Sequence, residues 1–153
     1  MLKNKKYINR ILIALMGLTY CTFGQSDFTF KNISVKDGLA ESTVKVIFED
    51  RNGFIYFGTE NGLDVYDGYE FINYQMNSFN EASLLGNKIS SIYEDSNNMV
   101  WVGSELGVSL FDPSKRAFSR PIDSGEHELV DSETIIEDSE GNIWIKLKEH
   151  GLV

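Results

Sequence analysis

The feature that most limits the fold of this chain is an internal repeat. Three segments, residues 44–67, 89–112 and 134–153, align with one another, and equivalent positions lie 45 and then 43 residues apart. Acidic, aromatic and glycine positions recur together in the three segments, at Asp50, Asp95 and Asp138, at Tyr56, Trp101 and Trp144, and at Gly62, Gly107 and Gly151. One extra residue displaces the last of these glycines. A period of this length is typical of repeat proteins in which each unit packs on its neighbours.

Each repeat is predicted to form four short strands joined by turns. In the first repeat we expect strands over residues 44–48, 54–59, 63–66 and 71–74, and the second repeat follows the same order with its last strand near 117–120. Residues 50–53 are predicted to form a tight turn, because the Asp50 side chain can accept a backbone N–H two residues on and Gly53 tolerates a positive φ. The apolar run 54–59 is typical of a strand that is buried on both faces.

Four strands in a unit of about 45 residues predict a blade of a β-propeller. Because the chain after residue 24 has no sustained 3.6-residue apolar period, we expect an all-β fold without long helices. Trp101 and Trp144 are expected to fill the space between neighbouring blades. A β-sandwich is the alternative fold, but it does not explain the repeat.

The repeated motif resembles the two-component regulator propeller repeat, whose pattern runs E-D-x-x-G-x-I-W-I-G-T-x-x-G-L-x-x-Y-D. Residues 49–67 and 94–112 follow that pattern, and residues 36–39, Lys-Asp-Gly-Leu, are similar to the usual opening of such sensors. The positions that carry the resemblance are interpreted as a structural motif: Asp50, Gly53, Tyr56, Gly58 and Gly62 in the first repeat, Asp95, Trp101, Gly103 and Gly107 in the second, and Asp138, Gly141, Trp144 and Gly151 in the third.

The sequence departs from the family pattern at several positions. Tyr56 replaces the usual tryptophan, and Asn98 replaces the turn glycine of the second repeat. In the third repeat Lys146 and Leu147 stand where glycine and threonine are usual, and residues 148–150 are an insertion. These changes predict that the geometry of the third blade differs from that of the first two.

The repeat and the resemblance together predict the organisation of the chain. We expect a signal peptide over 1–24, a strand over 28–43 that leads into the propeller, blades over 44–74 and 89–120, and a partial blade over 132–153. A closed propeller needs at least four blades, so the chain is expected to be an N-terminal fragment of a longer protein. The expected partners are the remaining blades and the domains downstream, with a homodimer as a further expectation.

The N-terminus has the composition of an export signal. Basic residues at positions 3, 5, 6 and 10 precede an apolar run over 11–23, and Thr22-Phe23-Gly24 matches a small-x-small cleavage site. Cys21 would then be removed with the signal, although it also allows a lipoprotein interpretation, and an uncleaved membrane anchor is a further alternative. An exported domain without cysteine must be stabilised by packing rather than by disulfides.

The charge of the chain argues against a nucleic acid as partner. The formal net charge is −9, and it becomes −13 once residues 1–24 are set aside, with 10 basic and 23 acidic residues left. A protein that binds phosphates needs basic surface, so a polyanion is not an expected partner.

No catalytic or metal-binding pattern stands out, and no cofactor is predicted. His127 and His150 lie 23 residues apart without a paired cysteine, which is far from the convergent ligand set of a zinc site. The turn D-x-x-G is similar to the Asp-box of sialidase-type propellers and, loosely, to a calcium loop, but the arginine at position 51 favours a structural turn. The polar segment 77–85 with Phe79 is interpreted as a connector between blades, with a ligand-contacting loop as the alternative.

The resemblance implies a function for the complete protein. It would be the periplasmic, ligand-sensing propeller of a sensor histidine kinase, anchored in the inner membrane and responding to an oligosaccharide or another extracellular ligand. The fragment itself would carry no catalytic apparatus. An exported propeller enzyme, such as a glycosidase or lyase, and a stand-alone adhesion or scaffold propeller are the alternatives.

Overall fold

A computed structural model of the chain describes residues 29–121, 131–148 and 151–153. Contacts between Cα atoms divide the chain into two compact units, Met1–Asn32 and Ile33–Val153. All of the secondary structure in the described ranges belongs to the second unit, and within these ranges no helix has the length and apolar character needed to span a bilayer. The predicted signal peptide, Cys21, His127 and His150 lie outside the described residues.

The second unit is built from antiparallel sheets, each made by strands that follow one another in the chain. Sheet 1 contains β1 (Val44–Glu49), β2 (Ile55–Thr59), β3 (Gly62–Tyr66) and β4 (Phe71–Tyr74), and sheet 2 contains β5 (Ile89–Glu94), β6 (Val100–Ser104), β7 (Gly107–Asp112) and β8 (Ala117–Ser119). Sheet 3 contains β9 (Ser132–Glu137), β10 (Ile143–Leu147) and β11 (Gly151–Leu152) in its described part. The predicted all-β fold with four-stranded antiparallel units is therefore confirmed.

The pairing register is the same in all three sheets. Val46 pairs with Gly58, Ser91 with Gly103, and Thr134 with Lys146, and an irregularity lies next to each of these pairs. Because side chains alternate between the two faces of a strand, a shared register places equivalent residues on equivalent faces. Equivalent residues of the three repeats therefore lie on the same face of their sheets.

The segment ahead of sheet 1 differs from its prediction. The sequence predicts a strand over residues 28–43, but their described part contains a 3-10 helix, η1 (Val35–Asp37), and no strand. Ser34 caps this helix, since its side chain accepts the Lys36 N–H while the Asp37 carboxylate accepts the Ser34 N–H at 2.9 Å. Gly38 ends the helix at φ 116°, a left-handed conformation that favours glycine. The caps at both ends favour a helical turn where the sequence predicts a strand.

Two apolar clusters hold the sheets together. The larger lies between sheets 1 and 2 and includes Tyr56, Val65, Ile92 and Phe111, and the smaller lies between sheets 2 and 3 and includes Val108, Ile135 and Ile145. The expectation that tryptophan fills the space between blades holds for one of the two residues. Trp101 is half-buried and packs on the smaller cluster, whereas Trp144 is exposed on the far face of sheet 3.

Candidate functional site

The recurrent aspartate organises the first turn of every sheet. Asp50 Oδ1 accepts the N–H groups of Asn52 and Phe54, both at 2.9 Å, and the Gly53 N–H donates to the Asp50 carbonyl at 3.0 Å. Asp95 and Asp138 accept the N–H groups two and four residues on in the same way, at 2.8 to 3.0 Å. The side chain thus satisfies turn amides that no strand partner can reach.

Backbone conformation explains which residue occupies the third position after each aspartate. Gly53 and Gly141 have φ values of 86° and 85°, and Asn98 occupies the equivalent position with φ 62°. Asparagine tolerates the left-handed region better than other residues with a Cβ. The replacement of glycine by Asn98 therefore preserves the turn.

The second carboxylate oxygen of each aspartate holds the recurrent aromatic residue. The Tyr56 hydroxyl donates to Asp50 Oδ2 at 3.0 Å, and the indole N–H groups of Trp101 and Trp144 donate to Asp95 Oδ2 and Asp138 Oδ2, each at 2.8 Å. A tyrosine hydroxyl and a tryptophan N–H thus reach the same acceptor from the same position. Tyrosine at position 56 keeps the contact that tryptophan makes in the other two sheets.

The pKa values of Tyr56 and Asp138 are shifted in opposite directions, the first upwards and the second downwards. Burial beside the Asp50 carboxylate raises the pKa of Tyr56 well above its usual range, so the hydroxyl stays a donor. The hydrogen bonds from Trp144 and Asn142 lower the pKa of Asp138 well below its usual range. Both shifts favour the protonation state in which the aromatic residue donates and the aspartate accepts, as expected of a structural hydrogen bond.

A glutamate next to the aspartate connects one sheet to the next. Glu94 Oε2 of sheet 2 accepts the Arg51 N–H of the sheet 1 turn at 3.0 Å. Glu137 Oε2 of sheet 3 accepts the Ser96 N–H of the sheet 2 turn at 2.8 Å, and Glu137 Oε1 accepts the Ser96 hydroxyl at 2.6 Å. We call this contact the inter-sheet clasp. Sequence reasoning included these glutamates in the motif but did not assign this role, because a contact between repeats leaves no pattern within one repeat.

Two motif glycines are required by close approach of the next sheet. A Cβ on Gly58 would lie 2.6 Å from Ile89 of sheet 2, and a Cβ on Gly103 would lie 2.5 Å from the Ser132 hydroxyl of sheet 3. Real Cβ atoms do not come this close to other atoms, so any side chain would separate the sheets. Gly62 and Gly107 are needed for another reason, a φ of 118° at the β2–β3 and β6–β7 turns.

Two clefts lie at the loops between sheets 1 and 2. One, of about 510 Å³, which we call the amide cleft, is lined mainly by amide and apolar side chains that include Asn52, Phe54, Asn97 and Met99, together with one carboxylate, that of Asp112. The other, of about 330 Å³, lies at the opposite strand ends and is lined by Lys45, Glu60, Lys88, Glu105 and Asp131.

Charges in the second cleft are largely paired. Lys45 Nζ lies 2.9 Å from Glu60 Oε1 and lowers the pKa of that carboxyl, Glu105 Oε2 accepts the backbone N–H of Lys88 at 2.8 Å, and Asp131 Oδ2 lies 3.7 Å from Lys148 Nζ. The carboxylates of this cleft are therefore engaged within the protein. The amide cleft is the more suitable surface for a neutral polar ligand.

Hydrogen bonds within the connector 77–85 and to sheet 2 hold it in place. The Ser83 hydroxyl donates to the Asn80 carbonyl at 2.7 Å, the Ser109 hydroxyl accepts the Leu85 N–H at 3.0 Å, and Leu84 is buried in the larger cluster. Phe79, 99% exposed, projects from it. In the described ranges no group of three or more His, Cys, Asp or Glu side chains could hold a metal ion.

Comparisons with known proteins connect these sheets with sensor proteins. Residues 38–61 and 83–105 match the sequence model described as two component regulator propeller. A curated relative, "Histidine kinase P4" from Formosa agariphila, is 37% identical over 59 residues, which are 39% of this chain and 4% of the relative. The chain therefore spans only a small part of that protein.

Solved structures have the same fold. The extracellular domain of a putative hybrid two component system from B. thetaiotaomicron matches with a TM-score of 0.64 at 25% identity, over 75% of this chain and 17% of that chain. The extracellular domain of a putative one component system from the same organism matches with a TM-score of 0.67 at 25% identity, over 81% of this chain and 18% of that one. The predicted β-propeller blades and the resemblance are both confirmed, because the fold matches these extracellular domains and parts of sheets 1 and 2 match the two component regulator propeller model.

Proposed function

We propose that this chain forms the first blades of an exported, ligand-sensing propeller that belongs to a sensor histidine kinase. The observation that carries the proposal is the agreement of two matches: the propeller repeat in residues 38–61 and 83–105, and the relative that is a histidine kinase. The similar structures are extracellular domains of two component and one component systems, which supports a position outside the inner membrane.

In this proposal the chain contributes architecture rather than chemistry. The recurrent carboxylates that could suggest catalysis are engaged as turn acceptors and inter-sheet contacts, with Asp50, Asp95 and Glu94 all buried. A glycosidase requires a pair of carboxylates that face a common substrate. The exported enzyme is therefore the weaker alternative.

The ligand we propose is a neutral oligosaccharide. The amide cleft offers the side-chain amides of Asn52 and Asn97 beside the partly exposed ring of Phe54, and such a surface can hydrogen-bond hydroxyl groups while it packs on a sugar face. Titration of the chain with cellohexaose, followed by tryptophan fluorescence and calorimetry, tests this step. We expect Phe54→Ala to weaken binding about tenfold and Tyr69→Ala, an exposed aromatic outside the cleft, to leave it unchanged. Equal effects of the two variants would contradict the ligand site.

The kinase part of the proposal is tested on the native protein. An antibody raised against this chain should precipitate, from the membrane fraction of the source bacterium, a protein that labels itself with the γ-phosphate of ATP in an acid-labile, base-stable bond. Pre-immune serum is the control. Precipitation of a protein that does not take up phosphate would contradict the kinase assignment, whatever the result with the sugar.

A further inference from the structure

Three asparagine side chains line the amide cleft between the turns of sheets 1 and 2, and one of them differs from the other two. The amide groups of Asn52 and Asn97 make no hydrogen bond to a described residue, so each can turn either its oxygen or its nitrogen towards a ligand. The amide group of Asn98 has a fixed orientation, because its Oδ1 accepts a hydrogen bond from Arg51 Nη1 at 3.2 Å.

Arg51 also takes part in the inter-sheet clasp with Glu94. Its backbone N–H donates to Glu94 Oε2 at 3.0 Å, and its Nε lies 3.7 Å from the same oxygen. The guanidinium thus extends from a buried carboxylate to the Asn98 amide. Because a guanidinium carries only donors, the Asn98 oxygen must face it. Asn98 Nδ2 is then left as a donor that has no acceptor among the described residues.

Both residues of this contact depart from the repeat. The residue after the recurrent aspartate is Arg51 in sheet 1 but serine at the equivalent positions 96 and 139. Asn98 stands where the other two turns have glycine. The turns form with serine and glycine at these positions, so the turn itself requires neither Arg51 nor Asn98. The two departures meet at the amide cleft, which indicates a role there rather than in the fold.

The carboxylate of the amide cleft is saturated by its own loop. Asp112 Oδ1 accepts the Ser114 N–H at 2.9 Å and the Ser114 hydroxyl at 2.6 Å, and Asp112 Oδ2 accepts Lys115 Nζ at 2.7 Å. The hydrogen bonds from Lys115 and Ser114 hold the pKa of Asp112 well below its usual range, so the group stays ionised. Its negative charge disfavours an anionic ligand, such as one with a uronate or sulfate group.

Apolar side chains complete the lining of the amide cleft. The ring of Phe54 is 37% exposed, and Met99 and Pro113 are half-buried. A fixed donor beside apolar surface suits a neutral group that carries both an acceptor oxygen and a methyl group, as an acetamido group does. An ammonium group carries only donors and cannot pair with Asn98 Nδ2. A hydroxyl group can donate or accept, so it gains nothing from the fixed orientation.

We propose that the amide cleft selects oligosaccharides that contain an N-acetylated amino sugar, an inference that rests on the proposed function and names the class of sugar. Asn98 Nδ2 donates to the acetamido carbonyl oxygen, while the acetamido methyl group packs on Phe54 and Met99. Arg51 is a positioning residue, because it acts through Asn98 by holding the Asn98 oxygen away from the ligand.

Calorimetric titration of the 153-residue chain with two matched sugars tests the selectivity. The β-1,4-linked hexamer of N-acetylglucosamine differs from cellohexaose only in the acetamido group that replaces one hydroxyl of each sugar unit. We expect the acetylated hexamer to bind about tenfold more tightly than cellohexaose. Equal binding of the two sugars, or a preference for cellohexaose, would overturn this inference and leave the proposed oligosaccharide site standing. Binding of neither sugar would overturn both.

Two variants that restore the residues of the other turns test the role of Arg51 and Asn98. Arg51→Ser and Asn98→Gly should each reduce the preference for the acetylated hexamer from about tenfold to about twofold or less. Arg120→Ser is the matched control and should keep the preference, because it removes the same charge from an exposed position outside the amide cleft. Circular dichroism establishes that all three variants are folded.

The ratio of the two affinities separates positioning from a general structural effect. A structural effect of Arg51→Ser would weaken the binding of both sugars together and leave their ratio unchanged. A preference that survives in Arg51→Ser would therefore overturn the positioning role, and one that survives in Asn98→Gly would overturn the assignment of Asn98 Nδ2 as the donor.

Discussion

The same aspartate turn is covered by a neighbouring sheet in sheet 2 and is open to solvent in sheet 3. Comparing the two turns therefore tests how much the turn contributes to the free energy of unfolding. Asp95 and Asp138 each accept two turn N–H groups and one indole N–H, with donor–acceptor distances of 2.8 to 3.0 Å, and Asp138 also accepts the side-chain amide of Asn142 at 3.0 and 3.2 Å. Asp95 is buried by the neighbouring sheet, whereas Asp138 is half-buried. Replacing either residue by alanine removes the same acceptor groups.

The expected loss for Asp95→Ala follows from the number of bonds and their burial. Three hydrogen bonds at about 1 kcal/mol each predict a loss of about 3 kcal/mol in the free energy of unfolding, since the donors cannot all reach water once the carboxylate is gone. For a domain of this size such a loss lowers the melting temperature by about 10 °C. The loss for Asp138→Ala should be clearly smaller, because water can replace the carboxylate at the open face.

Urea unfolding followed by circular dichroism measures both variants against the wild type. The midpoint should fall much further for Asp95→Ala than for Asp138→Ala, while the slope of the transition stays unchanged. Equal losses would refute the idea that covering by the next sheet gives the motif its stabilising effect. Tryptophan fluorescence should also change in both variants because each loses the indole hydrogen bond.

Further predictions test the glycines, the pH dependence and the clasp. Gly58→Ala should destabilise the chain by about 1–3 kcal/mol in urea unfolding, because the added Cβ would clash with the next sheet. Gly53→Asn should be nearly neutral in the same assay, because asparagine occupies the equivalent turn position in sheet 2. Asp138→Asn should lose stability relative to the wild type at about pH 5–7. That difference should shrink progressively as the pH falls below about 4 towards the lowered pKa of Asp138, since a carboxyl whose pKa is lowered by folding stabilises the chain only while it is ionised. A constant difference down to about pH 2 would count against the shift. Glu94→Ala should destabilise the chain by about 2 kcal/mol in the same unfolding assay, because it leaves the Arg51 N–H without its acceptor.

Much of the fold could be predicted from the sequence because the repeat encodes it locally. The turns after Asp50 and Asp95 and the strands that follow them depend on contacts within one repeat, so the pattern of residues carries them. The sequence predicts the first strand over 44–48 and the third over 63–66, within one residue of Val44–Glu49 and Gly62–Tyr66. The motif is weak in any one segment, but its occurrence in three aligned segments is sufficient to predict the repeat fold.

The contacts between repeats could not be predicted in the same way. The clasp between Glu94 and Arg51 joins residues that are far apart in the sequence, and nothing within one repeat distinguishes a glutamate that binds the preceding turn from one that is solvated. The helix Val35–Asp37 was missed because a capping box overrode the expected strand. The sequence predicts Trp144 between blades, but its environment depends on whether a further sheet covers it rather than on its own repeat.

Amide hydrogen exchange at the three equivalent turn positions tests most directly whether successive sheets stack through the inter-sheet clasp. In dilute, monomeric chain we expect strong protection of the Arg51 and Ser96 amides, which donate to Glu94 and Glu137, and rapid exchange of the Ser139 amide. In Glu94→Ala the Arg51 amide alone should lose its protection. Similar exchange rates at all three positions, or protection of Arg51 that survives this substitution, would contradict stacking through the clasp.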